Sequence, residues 1–326
     1  MQSERSDHEP AVSILISAHN SERFIAETIQ SILAQTFSDF ECVIVNDGST
    51  DRTAQIVRQY TGDPRIQLLD LPKVGLCAAL NRGLELTRAP LIARMDSDDV
   101  MLPERLARQV EFLKDKPELG GCGSFYYLID EAGARIGDGR CPLTSLDAIE
   151  QHLANGGHLI YPNPTVTLRR TVIEALGGYR QEYFPCEDVD LFVRMLQADK
   201  PVLILPEYLL HFRIHGASVS ANNAERQFHT NRLIFRNYHA QRRGKPILPI
   251  EDYFARMKAA VGVRRLATRA QVKSFILHRK AARAKTDRHK LRGNALLLMA
   301  MALDPVDAYW KVIRRARAKR AVSSFL

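Results

Sequence analysis

Val12-Ser13-Ile14-Leu15-Ile16-Ser17 is a short run of β-branched and aliphatic side chains, apolar on both faces of an extended chain. Such a run is the mark of a buried parallel strand. The segments after it decide the fold class. Ser21 to Gln35 sets Phe24, Ile25, Ile29, Ile32 and Leu33 at helical spacing. Phe40 to Val45 reads as a second strand, Asp51 to Tyr60 as a second helix and Ile66 to Leu69 as a third strand. Gly75 to Arg88 is a further helix and Leu91 to Met95 a fourth strand. Strict alternation with short connections predicts an α/β fold, a parallel sheet wound by right-handed crossovers. In such sheets ligands bind beyond the carboxyl ends of the strands. Here those ends are Ser17-Ala18-His19-Asn20, Asn46-Asp47-Gly48-Ser49 and Arg94-Met95-Asp96-Ser97-Asp98-Asp99. All three are polar, and two are rich in carboxylates.

Further along, a helix is expected over Pro103–Lys114 and a hairpin over Cys122–Ile129 and Ala134–Ile136, turning at Asp130-Glu131-Ala132-Gly133. Ser145 to Ala154 reads as a helix, Thr165 to Leu168 as a strand, and Asp188 to Gln197 as a helix. Val202–Leu205 and Tyr208–Ile214 read as two extended runs. A boundary is expected near Ser220–Asn223, dividing a catalytic region of residues 1–221 from a basic α-helical region of residues 222–326. Five scattered cysteines (Cys42, Cys77, Cys122, Cys141 and Cys186), with no C-x-x-C pair, suggest reduced thiols and a cytoplasmic setting, and disfavour structural zinc. The polar start, Met1 to Pro10, has no signal-peptide core, and Ala295–Leu303, the most lipid-like run, has half the length a spanning helix needs.

Three carboxylates within four residues, Asp96, Asp98 and Asp99, repel one another unless a positive charge joins them. A hard divalent cation with oxygen ligands, Mn²⁺ or Mg²⁺, is the usual answer, and it also binds substrate phosphates. The local alternative makes Asp99 a cap for the helix near Pro103. Asn46-Asp47-Gly48-Ser49-Thr50-Asp51 reads as a turn and helix cap that leaves Asp47 free over the sheet edge, to accept the imide N–H of a uracil-like base. Glu187, Asp188 and Asp190 suit the first turn of a helix, and a carboxylate there can also serve as general base. Alternation places His211, Arg213 and His215 on one face, where they can meet diphosphate or metal. Neither a dinucleotide fingerprint nor a P-loop is present.

Together these segments resemble the inverting family-two glycosyltransferases, over roughly Val12 to Ser220. The resemblance rests on V-S-I-L-I-S-A-H-N, F-S-D-F-E-C-V-I-V-N-D-G-S-T-D, L-N-R-G-L-E-L-T-R-A-P-L-I-A-R-M-D-S-D-D, E-D-V-D-L-F-V-R-M and F-R-I-H-G-A-S-V-S. It implies a GT-A-type fold: a mostly parallel, Rossmann-like sheet flanked by helices, followed by the basic helical region. It also implies a nucleotide-sugar donor, with UDP-sugars favoured, and a sugar or lipid-linked hydroxyl acceptor in cell-surface polysaccharide or glycolipid synthesis. By the same resemblance Asp47 binds the base, with Asn20, Asp96, Arg213 and His215 on the donor side. Asp98 ligates the metal beside Asp96 and His215. Asp188 is the catalytic base with Glu187 next to it, and Tyr161-Pro162-Asn163-Pro164-Thr165 faces the acceptor. Two departures matter: Asn46 stands where the family usually has a first acid, and the Q-x-x-R-W signature of processive synthases is missing. The second points to transfer of a single sugar. A nucleotidyltransferase would carry a basic Gly-rich loop after its first strand, and His19-Asn20-Ser21-Glu22 is unlike one. A catalytically silent nucleotide-sugar-binding module is the other alternative, and the intact set of Asp47, Asp96, Asp98 and Asp188 argues against it.

The net charge of +9 is unevenly spread. From Asn222 to Leu326 there are 25 Lys/Arg against 6 Asp/Glu, leaving 21 against 31 in the rest, so a −10 body carries a +19 tail. Basic residues from Arg264 to Arg292, then Leu296 to Met299, Trp310 and Lys311 to Arg315, suit either a helical annex packed on the catalytic region or contact with an anionic membrane surface. The second option places the protein peripherally on the inner face of the cell membrane. No recognised nucleic-acid-binding fold accompanies the charge, which disfavours nucleic acid.

Overall fold

In the computed structural model, β1 (Val12–Ala18), β2 (Phe40–Asp47), β3 (Ile66–Leu71) and β4 (Leu91–Asp96) run parallel in the order β3-β2-β1-β4. Val12 sits opposite both Phe40 and Leu91, so the three central strands end level with one another. The crossovers carry α1 (Ile25–Leu33), α2 (Thr53–Arg58) and α3 (Leu76–Leu84). Val12, Ile14 and Ile16 pack with Ile25, Ile29 and Ile32 of α1 on one face. On the other face α3 lies close enough that a Cβ on Gly83 would fall 2.4 Å from Leu15 Cδ1. Both faces of β1 are therefore dry, which is why its sequence shows no polar alternation. The structure describes residues 8–215, 223–259, 262–286 and 290–304.

The second half of the sheet is mixed. β5 (Val100–Met101), α4 (Arg105–Lys114), β6 (Gly121–Ile129), β7 (Arg135–Gly139), α5 (Leu146–Ala154), β8 (Thr167–Arg169), α6 (Arg170–Ala175), α7 (Glu187–Gln197) and β9 (Val202–Arg213) follow in turn. β8 joins β4 to β6, antiparallel to each, and β9 runs parallel to β6. The expected hairpin is present as β6 and β7. Two features differ from expectation. β9 is one strand, not two, because Pro206 lies where its register on β6 slips between Leu205 and Tyr208. A proline cannot donate to a ladder and is tolerated at such a bulge. The second is β5, whose two residues pair antiparallel with His211 and Leu210 and draw β9 over the end of β4.

The described chain divides into two compact units, Met1–Gly216 and Ala217–Leu326. The boundary expected between residues 221 and 222 lies outside the described residues, as does the stretch with Trp310 and Lys311 to Arg315. The second unit holds α8 (Ala224–Gln241), α9 (Ile250–Ala259), α10 (Gly262–Thr286) and α11 (Lys290–Leu303). Asn237 of α8 ties the linker to α9 with a donor and an acceptor bond to Leu248, at 2.8 and 2.9 Å. α10 and α11 fold back on one another, and Ser274 Oγ donates to the Ala300 carbonyl at 2.8 Å. Among the described residues no helix is long and apolar enough to cross a membrane.

Candidate active site

The acidic cluster follows directly from β4. Asp96 ends the strand, and a tight turn brings Asp98 and Asp99 back so that one oxygen of each of the three carboxylates lies within 4.8 Å of the others. Each has a different partner. Arg94 Nη2 donates to Asp96 Oδ1 at 2.7 Å, and His215 Nε2 lies 2.5 Å from Asp98 Oδ2. Asp99 Oδ1 accepts the backbone N–H of Arg213 at 2.7 Å, while its Oδ2 is buried without a partner. Asp99 is thus no helix cap; α4 has Glu104 at its N-cap with no side-chain bond. Burial, then the neighbouring acids, push Asp99 well above the carboxylate range, and burial raises Asp96 despite Arg94. Three crowded carboxylates and an orphaned buried oxygen fit a hard divalent cation held by oxygen ligands. His215 reaches the cluster only through Asp98.

Arg213, expected on the donor side, bonds mainly within the protein. Its guanidinium is 1% exposed and makes four hydrogen bonds: Nε with the Asp98 carbonyl at 2.8 Å, Nη1 with the carbonyls of Asp130 and Glu131, Nη2 with Glu27 at 2.5 Å. It also stacks on Phe24, 4.8 Å from the ring centroid. Four of its five N–H donors are used inside the protein, and the fifth is buried with the rest of the group. Arg213 instead clips the acidic turn to α1 and to the β6–β7 turn. His211, two residues earlier, lies beside the Tyr127 ring, 5.7 Å between centroids, and touches none of the acids.

At the end of β2, Asp47 is not free over the sheet edge. It is 3% exposed, and its oxygens accept the N–H of Val74 at 2.6 Å and of Gly75 at 3.1 Å. Gly48 permits this approach: its φ is +63°, and a Cβ would sit 2.5 Å from Lys73 N. The two N–H groups make three hydrogen bonds against about four lone-pair sites, which leaves Asp47 one site, and Lys73 Nζ lies 3.7 Å from Oδ2. Asn20, itself at φ 52°, binds this loop system too, accepting from Thr50 N at 2.8 Å and donating to Ser49 Oγ at 3.0 Å.

Glu187 and Asp188 open α7 behind the buried Cys186. Asp188 Oδ1 accepts the N–H of Val189 at 2.7 Å, whereas Glu187 Oε2 is buried and unpartnered. Burial, then the Asp96 charge, raise Asp188 to about 6, and burial with the Asp188 charge raises Glu187 to about 8. Arg94 lowers both. This residue, 2% exposed, was missed by reading the acids alone. Its signal was present, since strand alternation puts Arg94 and Asp96 on one face. In the 161–165 loop Tyr161, Pro164 and Thr165 are buried, and only Pro162 and Asn163 stay partly exposed.

Comparison with known proteins gives the family and the fold. The family model "Glycosyl transferase family 2" matches residues 13–177. The O-antigen biosynthesis glycosyltransferase WbnJ of Escherichia coli is 34% identical over 212 residues, covering 64% of this chain and 81% of its own. Among solved structures, residues 1–349 of S. aureus TarS in complex with UDP-GlcNAc superpose with TM-score 0.56 at 20% identity, over 94% of this chain and 92% of that one. The mannosyltransferase PcManGT from Pyrobaculum calidifontis, in complex with GDP-Man and Mn²⁺, gives TM-score 0.56 at 17% identity, over 92% and 88%. These two share the fold, a GT-A-like α/β sheet. With the family model spanning half the sequence and a relative above 30% identity covered over most of its length, the chain belongs to glycosyltransferase family 2.

Proposed function

We propose that this protein moves one sugar from a nucleotide-diphosphate sugar, UDP-sugars being favoured, to an acceptor hydroxyl with inversion, in the assembly of a cell-surface polysaccharide or glycolipid. The observation that carries the reading is the pair of a buried Glu187 and a half-buried Asp188 at the start of α7, within electrostatic reach of the Asp96 carboxylate and Arg94. At neutral pH Glu187 keeps its proton, so Asp188 is the ionised member and the base. Asp188 takes the acceptor's hydroxyl proton as the oxygen attacks the anomeric carbon. The carbon–oxygen bond to the diphosphate breaks on the opposite side, and the nucleoside diphosphate leaves with the electron pair. One in-line displacement inverts the configuration, through an oxocarbenium-like transition state. Asp98 and Asp96, with Asp99 behind them and His215 holding Asp98, would hold Mn²⁺ or Mg²⁺. Bound there, such an ion would offset charge developing on the diphosphate.

Asp47 and Asn20 shape the end of β2 where the base is read, Asp47 with its remaining lone pair. The UDP-GlcNAc complex of TarS supports a UDP-sugar, the GDP-Man and Mn²⁺ complex of PcManGT supports the metal, and the O-antigen role of WbnJ supports a surface polysaccharide. The test is a panel of UDP-, GDP- and dTDP-sugars assayed for transfer and slow hydrolysis with Mn²⁺ and with EDTA. A UDP-sugar should be turned over with Mn²⁺ only. Asp188→Asn should lower kcat about 10²–10⁴-fold with donor Kd unchanged. Donor binding without any turnover would leave a silent binding module, and full activity in EDTA would remove the metal.

A further inference from the structure

We infer that the α10–α11 hairpin is a surface for an anionic lipid bilayer. The inference stands apart from the reading of the active site. α10 carries eight Lys/Arg and no Asp/Glu in 25 residues. Leu266, Arg269, Lys273 and Lys280 are exposed, and their spacing of three, four and seven places them on one helix face. α11 departs from the usual pattern of a surface helix in the opposite sense. Gly293 and Ala300 are buried on one side. The other side presents Leu291, Ala295, Leu298, Met299 and Ala302 to solvent. Leu291 is 87% exposed, Leu298 68% and Met299 57%. A stripe of this kind, outward on a helix that already has a packed inner face, is costly in water. At 14 residues α11 is about 21 Å long, too short to span a bilayer core of about 30 Å.

The chemistry that satisfies both helices at once is an acyl boundary beneath a layer of phosphate. Aliphatic side chains of α11 enter the headgroup region while the cations of α10 remain among anionic headgroups. A second copy of this chain would bring the same uncompensated cations face to face, so charge disfavours self-association through this surface. A nucleic acid would answer the cations but not the apolar stripe.

The experiment is flotation of the full chain with vesicles of phosphatidylcholine alone, or with phosphatidylglycerol mixed in. Binding is expected to the anionic vesicles only, weakening as salt is raised. Leu298→Asp with Met299→Asp should reduce it by about tenfold or more for each aliphatic side chain removed. Lys273→Gln and Lys280→Gln should each cost about fivefold. Donor binding should stay unchanged in all four, which reports an intact fold. Equal binding to neutral vesicles, or anionic binding untouched by the two Asp substitutions, would overturn the proposal. So would a dimer that those substitutions dissociate, or salt-dependent binding of duplex RNA with no vesicle binding.

Discussion

Arg94 is the residue that joins the two acidic groups of the site. It is a buried cation on β4, bonded to Asp96 on one side and lowering Glu187 and Asp188 on the other. Asp188 titrates near 6, so activity should rise with pH through about 6 as the base ionises. Arg94→Met removes the positive charge that favours the ionised form. The acid limb of kcat/KM should then move to higher pH, on the order of one unit. The orphaned Asp96 bond should cost about 1–3 kcal/mol in denaturant unfolding. Arg94→Lys should bring the limb back, since charge and not shape sets it. A merely structural Arg94 would lower activity at every pH without moving the limb. The site's acids were legible in the sequence because strand ends and a helix start point to one place. Arg213 was not, because its partners Glu27, Asp98 and Asp130 are brought to it by a strand 83 to 186 positions away. A charged residue near a site reads as a ligand until its hydrogen bonds are known.

The parallel half of the sheet could be read strand by strand, because burial on both faces leaves an apolar run and the following helix leaves a 3.6-residue period. The antiparallel half could not. β5 has two residues and no period at all, and it exists only because β9 offers it a ladder edge. The slip at Pro206 makes β9 look like two segments. Loop conformation lies between these cases, as Gly48 illustrates. The turn was legible from Asn46-Asp47-Gly48, but not that it seats the 73–75 loop on Asp47. Gly48→Ala forces a left-handed φ on a residue with a Cβ, at about 1–2 kcal/mol, and drives that Cβ toward the Lys73 backbone. The loop must therefore move off Asp47. Donor Kd should rise several-fold while kcat at saturating donor holds within about twofold, because α7 is untouched. An unchanged Kd beside reduced stability would show that the 47–75 contact serves folding alone.

Over the whole molecule, the described residues of the first unit include four carboxyl groups above their ordinary range: Asp96, Asp99, Glu187 and Asp188. Each holds its proton more tightly folded than unfolded. Their contribution to stability is complete below the unfolded value of about 4 and is lost as pH rises through the folded values, about 6 for Asp188 and about 8 for Glu187. In EDTA the Tm should therefore fall from pH 5 to pH 8. His211 and His229 work against that trend. Burial lowers both, so they favour the folded state as they lose their protons. Glu187→Gln isolates the carboxyl part, since it removes the highest-titrating acid and leaves both histidines, and its Tm should decline less over the same range. Mn²⁺ acts on different carboxyls, the Asp96, Asp98 and Asp99 cluster, by supplying the positive charge it lacks. It should raise the Tm more at pH 8, where competition from protons is weakest, than at pH 5. A wild-type Tm that is flat or rising in EDTA, with an identical profile for Glu187→Gln, would mean that these carboxyls reach water in the folded state. A Mn²⁺ increment no larger at pH 8 than at pH 5 would place the ion away from the acidic turn after β4.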